Sequence, residues 1–518
     1  MTDTHRLLIG GDLLDASSGE TFDSIDPSTG EPFATIARGG KEDAERAVAA
    51  ARRAFDEGPW PRMKGRERAG YLLKIADLVK QNAAHLAELE ARDGGHTIRM
   101  AKGADIGMVI STFRVFAEMA AREDDERPQP RSPGSTNWVR YEPIGVCAAV
   151  TPWNFPIQMA AWKIAPAIAA GNTVVIKPAS YTPLTTIALG RLCMEAGLPE
   201  GVVNVLAGPG AAAGESLVAS PLVDKVAFTG STEVGSRIMQ LASANITKCT
   251  LELGGKSASI VLDDVDVDYA LDGALWGVFF HNGQVCSAGT RLLVDRKLHD
   301  DFVAELAKRA DRIRTGPALD PSSDAGPIVS KTQLETVERY VRIGQEEGAD
   351  VLAGGERTVI EGHDGGYYFK PTILGGVTND MKVAREEIFG PVLVVIPFDD
   401  EAEAVRIAND SIYGLAGGVW SGDNARAVKV AEQLRTGTVW INDWHMINPR
   451  YPFGGYRQSG VGREHGELGY DEYREVKHIH VDLGGPSREH HPWWDITVPK
   501  RGDPGVPATG EPGSKPAG

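Results

Sequence analysis

Short, β-branched apolar runs closed by glycine or proline alternate with longer stretches of helical periodicity through most of this chain. That alternation calls for an α/β architecture built on largely parallel sheets. Residues 172–177 (NTVVIK) and 202–206 (VVNVL) read as strands buried on both faces, and residues 184–196 between them carry a helical pattern. Further on, Leu298, Phe302, Val303, Leu306, Ala310 and Ile313 recur at helical spacing, with Lys308, Arg309 and Arg312 on other faces or near the C-terminus, as in a surface-packed helix. At 518 residues the chain is too long for one hydrophobic core, so two or three domains are expected.

Composition narrows the class of partner. Lys plus Arg number 54 against 71 Asp plus Glu, and the net charge of -17 disfavours nucleic acid or an anionic membrane. The cysteines, Cys147, Cys193, Cys249 and Cys286, lie far apart and form no CxxC pair, so neither a disulfide framework nor a zinc site is expected, and no metal. A reducing compartment follows. The N-terminal residues have neither a basic nor an apolar signal region, no run of eighteen apolar residues occurs, and a cytoplasmic location is expected. Two stretches break the alternation. Residues 123–135 (EDDERPQPRSPGS) are charged and proline-rich and lead into a strand-like segment at 136–141, which fits an excursion from the first domain or an ordinary surface loop. Residues 499–518 hold five prolines and five glycines, a composition that predicts disorder.

Four motifs carry chemistry. GQVCSAGTR (283–291) sets Cys286 in a glycine-bounded loop, just beyond an apolar helical stretch at 270–280 that Asn282 and Gly283 should end through a left-handed cap. Cys147 and Cys193 fall in apolar patterns and Cys249 adjoins a strand, so these three read as structural. LELGGKS (251–257) offers Glu252, and a thiol with a separately placed carboxylate suits a covalent sulfur adduct that water later cleaves. A salt-bridged glutamate at a strand end is the plainer alternative. FTGSTEVG (228–235) reads as a strand at 225–228, a turn at Thr229, Gly230 and Ser231, and a helix at 232–241. Such a joint presents free N–H groups and the positive end of the helix dipole to an anion such as pyrophosphate, and Gly235 allows a close approach. By itself the joint is equally a turn and a cap, and no GxGxxG follows the first strand. PWNFP (152–156) holds Asn154, otherwise a turn residue. Lys177 ends a strand on the edge where open α/β sheets bind ligands, although a solvated charge is the commoner fate of a lysine.

These motifs, in this order and spacing, resemble the aldehyde dehydrogenase superfamily from about residue 12 to about residue 483. The resemblance implies a Rossmann-like dinucleotide-binding domain at 1–124 and 144–254 and an α/β catalytic domain at 255–465. It also implies a small β oligomerisation module at 125–143 and 466–484, whose strands pair between subunits, and 485–518 is left as a disordered tail. The implied reaction is oxidation of an aldehyde to its acid with NAD or NADP, in a homo-oligomer, dimer or tetramer. Cys286 is the implied nucleophile, the Asn154 amide and the Cys286 backbone N–H are the oxyanion donors, Glu252 is the base that activates water, and Glu464 is a proton relay. Each oxyanion donor is worth about 3 kcal/mol of barrier. Relatives that pass the acyl group to coenzyme A lack the glutamate at 252, so its presence favours hydrolysis.

The implied cofactor contacts are Thr151, Pro152, Trp153, Lys177, Ala179, Ser180, Gly210, Phe228, Gly230, Ser231, Val234, Leu253, Gly254, Glu387 and Phe389. Lys177 would hold the adenosine ribose, Glu387 the nicotinamide ribose, and Phe389 would buttress the nicotinamide. Ser180 stands where a glutamate often rejects a 2'-phosphate, which leaves NADP beside a slightly favoured NAD. The implied substrate pocket is Met108, Phe155, Met159, Trp162, Phe280, Trp444 and Phe453. Trp162 replaces the arginine of succinic semialdehyde dehydrogenases, and Trp444 resembles a tryptophan of betaine aldehyde dehydrogenases, where aromatic faces attract a quaternary ammonium. Apolar, aromatic, quaternary-ammonium and amino aldehydes all suit such a pocket, and Arg450, if turned inward, would attract an acid instead. Two other classes compete: a cysteine hydrolase with His281 as base, and a catalytically silent binding protein on the same fold.

Overall fold

A computed structural model describes residues 4–122, 125–129, 134–485 and 487–499. Five parallel strands form the heart of one sheet, in the spatial order Lys248–Glu252, Lys225–Thr229, Val146–Val150, Thr173–Lys177 and Val203–Val205. A short antiparallel strand, Gly460–Val461, closes one edge, and Leu7–Ile9 with Asp12–Leu14 closes the other. Four of the five parallel strands are buried almost throughout, because helices cover both faces; that is why their sequences lack a polar alternate. Helix Leu184–Glu195 joins two of them, one residue shorter than the periodicity predicts.

The second sheet runs in the order Asp350–Ala353, Thr372–Gly375, Val392–Phe398, Arg291–Asp295, Ala258–Val261, Ala416–Trp420 and Thr438–Ile441, parallel apart from its first strand. Successive strand residues feed two cores. Ile260, Leu293, Val394 and Val419 pack on one side with Leu334 and Val337, whereas Val261, Leu292, Val395 and Trp420 pack on the other with Phe302 and Leu306. The last two lie on helix His299–Ala310, the amphipathic helix read from the sequence. Both large sheets belong to one compact unit. The mixed α/β architecture with parallel sheets is the expected fold class.

A second unit carries a three-stranded sheet of Glu126–Pro128, Ser135–Pro143 and Arg474–Asp482, with Ser135–Pro143 in the middle. The excursion and the late strand, expected to pair across subunits, are thus neighbours within this chain. Part of the excursion, residues 123–124 and 130–133, lies outside the described residues. The tail differs from expectation up to residue 499. Short 3-10 turns occupy Arg488–His490 and Pro492–Ile496, where Ser487 Oγ accepts from Glu489 N at 3.3 Å and the His491 ring stacks on Trp494 with centroids 4.3 Å apart. Residues 500–518 of that expectation lie outside the described residues. Among the described residues no helix is long and apolar enough to cross a membrane.

Candidate active site

The first sheet reverses direction beside Val146–Val150. From that strand the chain moves outward through Thr173–Lys177 and Val203–Val205, then returns to Lys225–Thr229 on its other side. Ligands bind outside the carboxyl ends of strands at such a switch point. The turns that leave the two flanking strands, Pro152 to Phe155 and Thr229 to Ser231, line one cavity of about 710 Å³.

Pro152, Trp153, Gly230, Ser231, Leu253, Gly254, Glu387 and Phe389 are among the residues that line this cavity. Ser231 caps helix Thr232–Ser243, its Oγ accepting from Val234 N at 3.3 Å. A Cβ on Gly235 would come within 2.4 Å of Leu253 Cδ2, so only glycine lets this helix lie so close to the segment after Glu252. Glu387 Oε1 accepts from Gly255 N at 2.9 Å, and a Cβ on Gly254 would sit 2.3 Å from Glu387 Oε2. Burial pushes the Glu387 carboxyl up to about 7. Phe389 takes a left-handed φ of 58° and sets its ring edge-on to Trp153, centroids 5.1 Å apart.

The other expected cofactor contacts, Thr151, Lys177, Ala179, Ser180, Gly210, Phe228 and Val234, do not line this cavity. Lys177 departs most from its reading. Its ammonium does not project but folds back onto the Pro178 carbonyl at 2.7 Å, and burial pulls its pKa down to about 8. Ser180 Oγ donates to the Gly208 carbonyl at 3.0 Å. Phe228 is buried beneath Gly230, where a Cβ would meet its ring at 2.5 Å.

Helix Val267–Phe279 stops ahead of the cysteine loop, and His281, Asn282 and Gly283 follow with φ of 47°, 56° and 67°. The expected left-handed cap therefore begins one residue early. A Cβ on Gly283 would lie 2.2 Å from the Gly390 carbonyl oxygen, so the turn tolerates no side chain there. Cys286 follows, half-buried and on the cavity wall. Burial, then the Glu387 and Glu252 carboxylates, push its thiol up to about 12 against the pull of the Ser287 and Cys286 N–H groups. Cys147 and Cys193 are buried. A Cβ on Gly255 would be 2.4 Å from the Cys286 carbonyl oxygen, so the segment that carries Glu252 passes directly against the cysteine loop.

Asn154 and Glu252 line the same cavity as Cys286. The Asn154 amide Nδ2 donates to the Gln284 carbonyl at 2.8 Å, which ties the residue to the cysteine loop. Glu252 ends its strand with both carboxylate oxygens unpartnered and buried. Burial and the neighbouring Glu464 raise its pKa well above the ordinary 4.5, while Lys163 and Arg463 offset part of the shift. Glu464 does not line the cavity; it lies buried and paired with Lys163, whose ammonium also donates to Thr229 Oγ1 at 2.8 Å. Sequence reasoning missed Lys163, although it is the sole charged residue in the buried helix Pro156–Ala170.

Of the residues read as a substrate pocket, Met108, Phe155, Met159, Trp162, Phe280 and Phe453 line the cavity, and Trp444 does not. Its indole lies fully buried, donates from Nε1 to the Ser287 carbonyl at 3.1 Å, and fills space left open by Gly277, Gly289 and Gly418. The neighbouring His445, at a left-handed φ of 61°, lines the cavity in its place, as does Trp276. His445 Nε2 lies 3.2 Å from the Gly277 carbonyl, and burial pulls its pKa down to about 3, so the ring is neutral. Arg450 turns away from the cavity and pairs with Glu118 at 2.7 Å. Among the described residues no lysine or arginine lines the cavity. His281 packs against His96 with ring centroids 3.9 Å apart, and burial and His96 pull its pKa well below 6.5; it has no oriented acid behind it, as a hydrolase base requires.

The pattern of the aldehyde dehydrogenase family matches residues 14–479. The chain is 48% identical to a betaine aldehyde dehydrogenase of Bacillus subtilis over 92% of its length and 97% of that protein's. It is 43% identical to a mitochondrial benzaldehyde dehydrogenase of Antirrhinum majus, covering 93% of this chain and 90% of that protein. Among solved structures, betaine aldehyde dehydrogenase of Staphylococcus aureus in complex with NAD+ superposes with a TM-score of 0.91 at 41% identity, over 93% of this chain and 95% of that one. The NAD+ complex of an aldehyde dehydrogenase from Bacillus cereus gives 0.91 at 43% identity, over 93% and 97%.

Proposed function

Because this chain belongs to the aldehyde dehydrogenase family, we propose that it oxidises an aldehyde to the carboxylic acid with NAD+ through a covalent adduct on Cys286. The observation that carries the reading is a single cavity that brings Cys286, Asn154 and Glu252 together with Glu387, Phe389 and the glycine turn of Gly230 and Ser231. A dinucleotide fits that donor set. The pyrophosphate suits the start of helix Thr232–Ser243, and a ribose suits the Glu387 carboxylate over Gly254, where any side chain would intrude. Bound there, NAD+ supplies the hydride acceptor.

The remaining steps belong to the chain. The Cys286 thiol rests protonated, and Glu252, whose charge helps to hold it so, accepts that proton. The thiolate adds to the aldehyde carbon, and the electron pair of the C=O bond moves to oxygen, where the Asn154 amide and the Cys286 N–H stabilise it. As that carbonyl re-forms, the carbon gives up its hydrogen as hydride, which leaves a thioester on Cys286. Once Glu252 has handed the thiol proton on, it takes a second proton from the attacking water, and collapse of the adduct releases the acid and the thiolate. Glu464 and Lys163, buried behind Glu252, relay the proton onward.

We assign NAD+ rather than NADP+ because the groups nearest the expected 2'-position are engaged, Ser180 with Gly208 and Lys177 with Pro178. The substrate is apolar, aromatic, or a quaternary-ammonium or amino aldehyde. A wall of Phe155, Trp162, Trp276, Phe280 and Phe453 without a cation suits these and offers nothing to a distal carboxylate. The three-stranded sheet, with Val476 and Val481 exposed on its Arg474–Asp482 strand, suits an oligomerisation module of a homodimer or homotetramer, and unpaired thiols suit the cytoplasm. The test is a panel of betaine aldehyde, aminoaldehydes and phenylacetaldehyde with NAD+ and with NADP+, ranked by kcat/KM. Formation of NADH with an equal amount of acid is expected; no reduced cofactor with any aldehyde refutes the proposal.

A further inference from the structure

His96 lies fully buried beneath the site, and both of its ring nitrogens face acceptors. Nδ1 is 2.6 Å from Asp105 Oδ2, and Nε2 is 2.8 Å from the backbone oxygen of Asn154. A carbonyl only accepts, so Nε2 donates; with Asp105 as a carboxylate Nδ1 donates as well, and a ring that donates at both is an imidazolium. Asp105 is the counter-charge a buried cation requires, and its other oxygen accepts from Gln158 Nε2 at 2.6 Å. Two further titratable groups face the ring. Glu90, on helix Ala83–Gly94, is buried with Oε2 unpartnered and its carboxyl pushed up to about 7 by burial; the His281 ring, on the cysteine loop, lies 3.9 Å away between centroids, its pKa pulled well below 6.5 by burial and His96. Burial pulls the His96 pKa down, but Asp105, Glu90 and the Asn154 carbonyl prevail and raise it.

We infer that His96 is a positioning residue whose imidazolium fixes the Asn154 peptide, and through it the oxyanion donor, in register with Cys286. Asn154 is gripped from two sides, its carbonyl by His96 and its amide nitrogen by the Gln284 carbonyl two residues before the cysteine. One N–H of the amide is thereby committed to Gln284 and the other is left for the oxyanion. Asp105 sits where the chain turns from Gly103 and Ala104 to Met108 on the substrate wall, so the same tie joins that wall to the oxyanion donor. The inference rests on the proposed role of Asn154.

The test is a double-mutant cycle on the full enzyme with its best aldehyde and NAD+. Asn154→Ala alone should lower kcat by about 10²- to 10³-fold. His96→Gln alone, which removes the charge and one of the two donors, should lower kcat by about 10- to 100-fold, the cost of a displacement approaching 1 Å, with KM for NAD+ unchanged. In the Asn154→Ala background the same His96→Gln change should cost no more than about threefold, because residues that act as a unit are not additive. His96→Lys keeps a cation with several donors and should recover most of kcat, which holds the test open if His96→Gln folds poorly. Effects that multiply across the two backgrounds, or equal losses in the Gln and Lys variants, would overturn the inference. No loss in Asn154→Ala would instead overturn the oxyanion reading of Asn154, a separate failure. Glu90, His96 and Asp105 also carry potential ligand atoms within 4.8 Å of one another. Activity lost to EDTA and restored by zinc in the wild type, but absent in His96→Lys, would therefore overturn it too, since the cluster would hold a metal rather than a proton.

Discussion

Replacing Glu252 by glutamine separates the two halves of the proposed reaction. The carboxylate is buried and neither oxygen has a hydrogen-bond partner, so the isosteric amide breaks no contact. Removing a general base costs about 10²- to 10⁴-fold, or about 3–5 kcal/mol of barrier at about 1.4 kcal/mol per decade. The loss in steady turnover should fall mainly on hydrolysis of the thioester, which no other group of the site is proposed to assist. After rapid mixing with aldehyde and NAD+, the variant should form close to one NADH per active site and then stall, with the acyl group recoverable by mass spectrometry on the peptide that holds Cys286. Because Glu252 is also proposed to take the thiol proton, the burst should be slow at neutral pH and quicken as pH rises toward the thiol's value of about 12. Stability supplies a second readout with a definite sign. A carboxyl whose folded pKa is raised weakens the fold as pH climbs from its unfolded value near 4.5 through the folded one, so Glu252→Gln should be at least as stable as the wild type at pH 8 and no more stable at pH 4. Steady turnover at the wild-type rate would refute the assignment, and so would a stalled variant with no burst and no acyl adduct at any pH.

Three further outcomes follow from the geometry. Glu387→Gln removes one of the charges that hold the Cys286 thiol high, so alkylation by iodoacetamide without cofactor should quicken at neutral pH; an unchanged rate would assign the shift to burial and Glu252. Gly235→Ala sets a methyl 2.4 Å from Leu253 Cδ2, which should push helix Thr232–Ser243 away from the crevice and raise KM for NAD+ with little effect on the KM for aldehyde. Lys163→Met strips the partner from a buried Glu464 and should cost about 3–5 kcal/mol of stability by denaturant unfolding, most of it recovered in the Lys163→Met, Glu464→Gln double variant.

The strand and helix positions were legible because a side chain's period and a glycine's place are local properties. Strands 172–177 and 225–228 and the helix beginning at 232 stand within a residue or two of where the pattern puts them. The helix end at Phe279 also follows from Asn282 and Gly283, though the turn recruits His281 as well. Contact residues were less legible. Trp444 and His445 are adjacent in sequence, and a left-handed turn sends one into the core and the other to the cavity; nothing in their spacing states which. Lys163, His96 and Trp276 were passed over because each sits in a pattern that predicts only packing.

What the sequence alone determined, then, is an α/β chain with a thiol, a carboxylate, an amide and a glycine turn in a known family's order. Those are matters of residue type and local spacing. Only the tertiary structure decided that the segment after Glu252 runs against the carbonyl of Cys286, that Glu387 closes over Gly254, and that His96 bridges Asp105 and Asn154. Apart from His96 with Asp105, nine positions away, those contacts join residues tens to more than a hundred positions apart. The environment that sets a pKa or aims an amide exists only once both sheets have brought such segments within a few ångströms of each other.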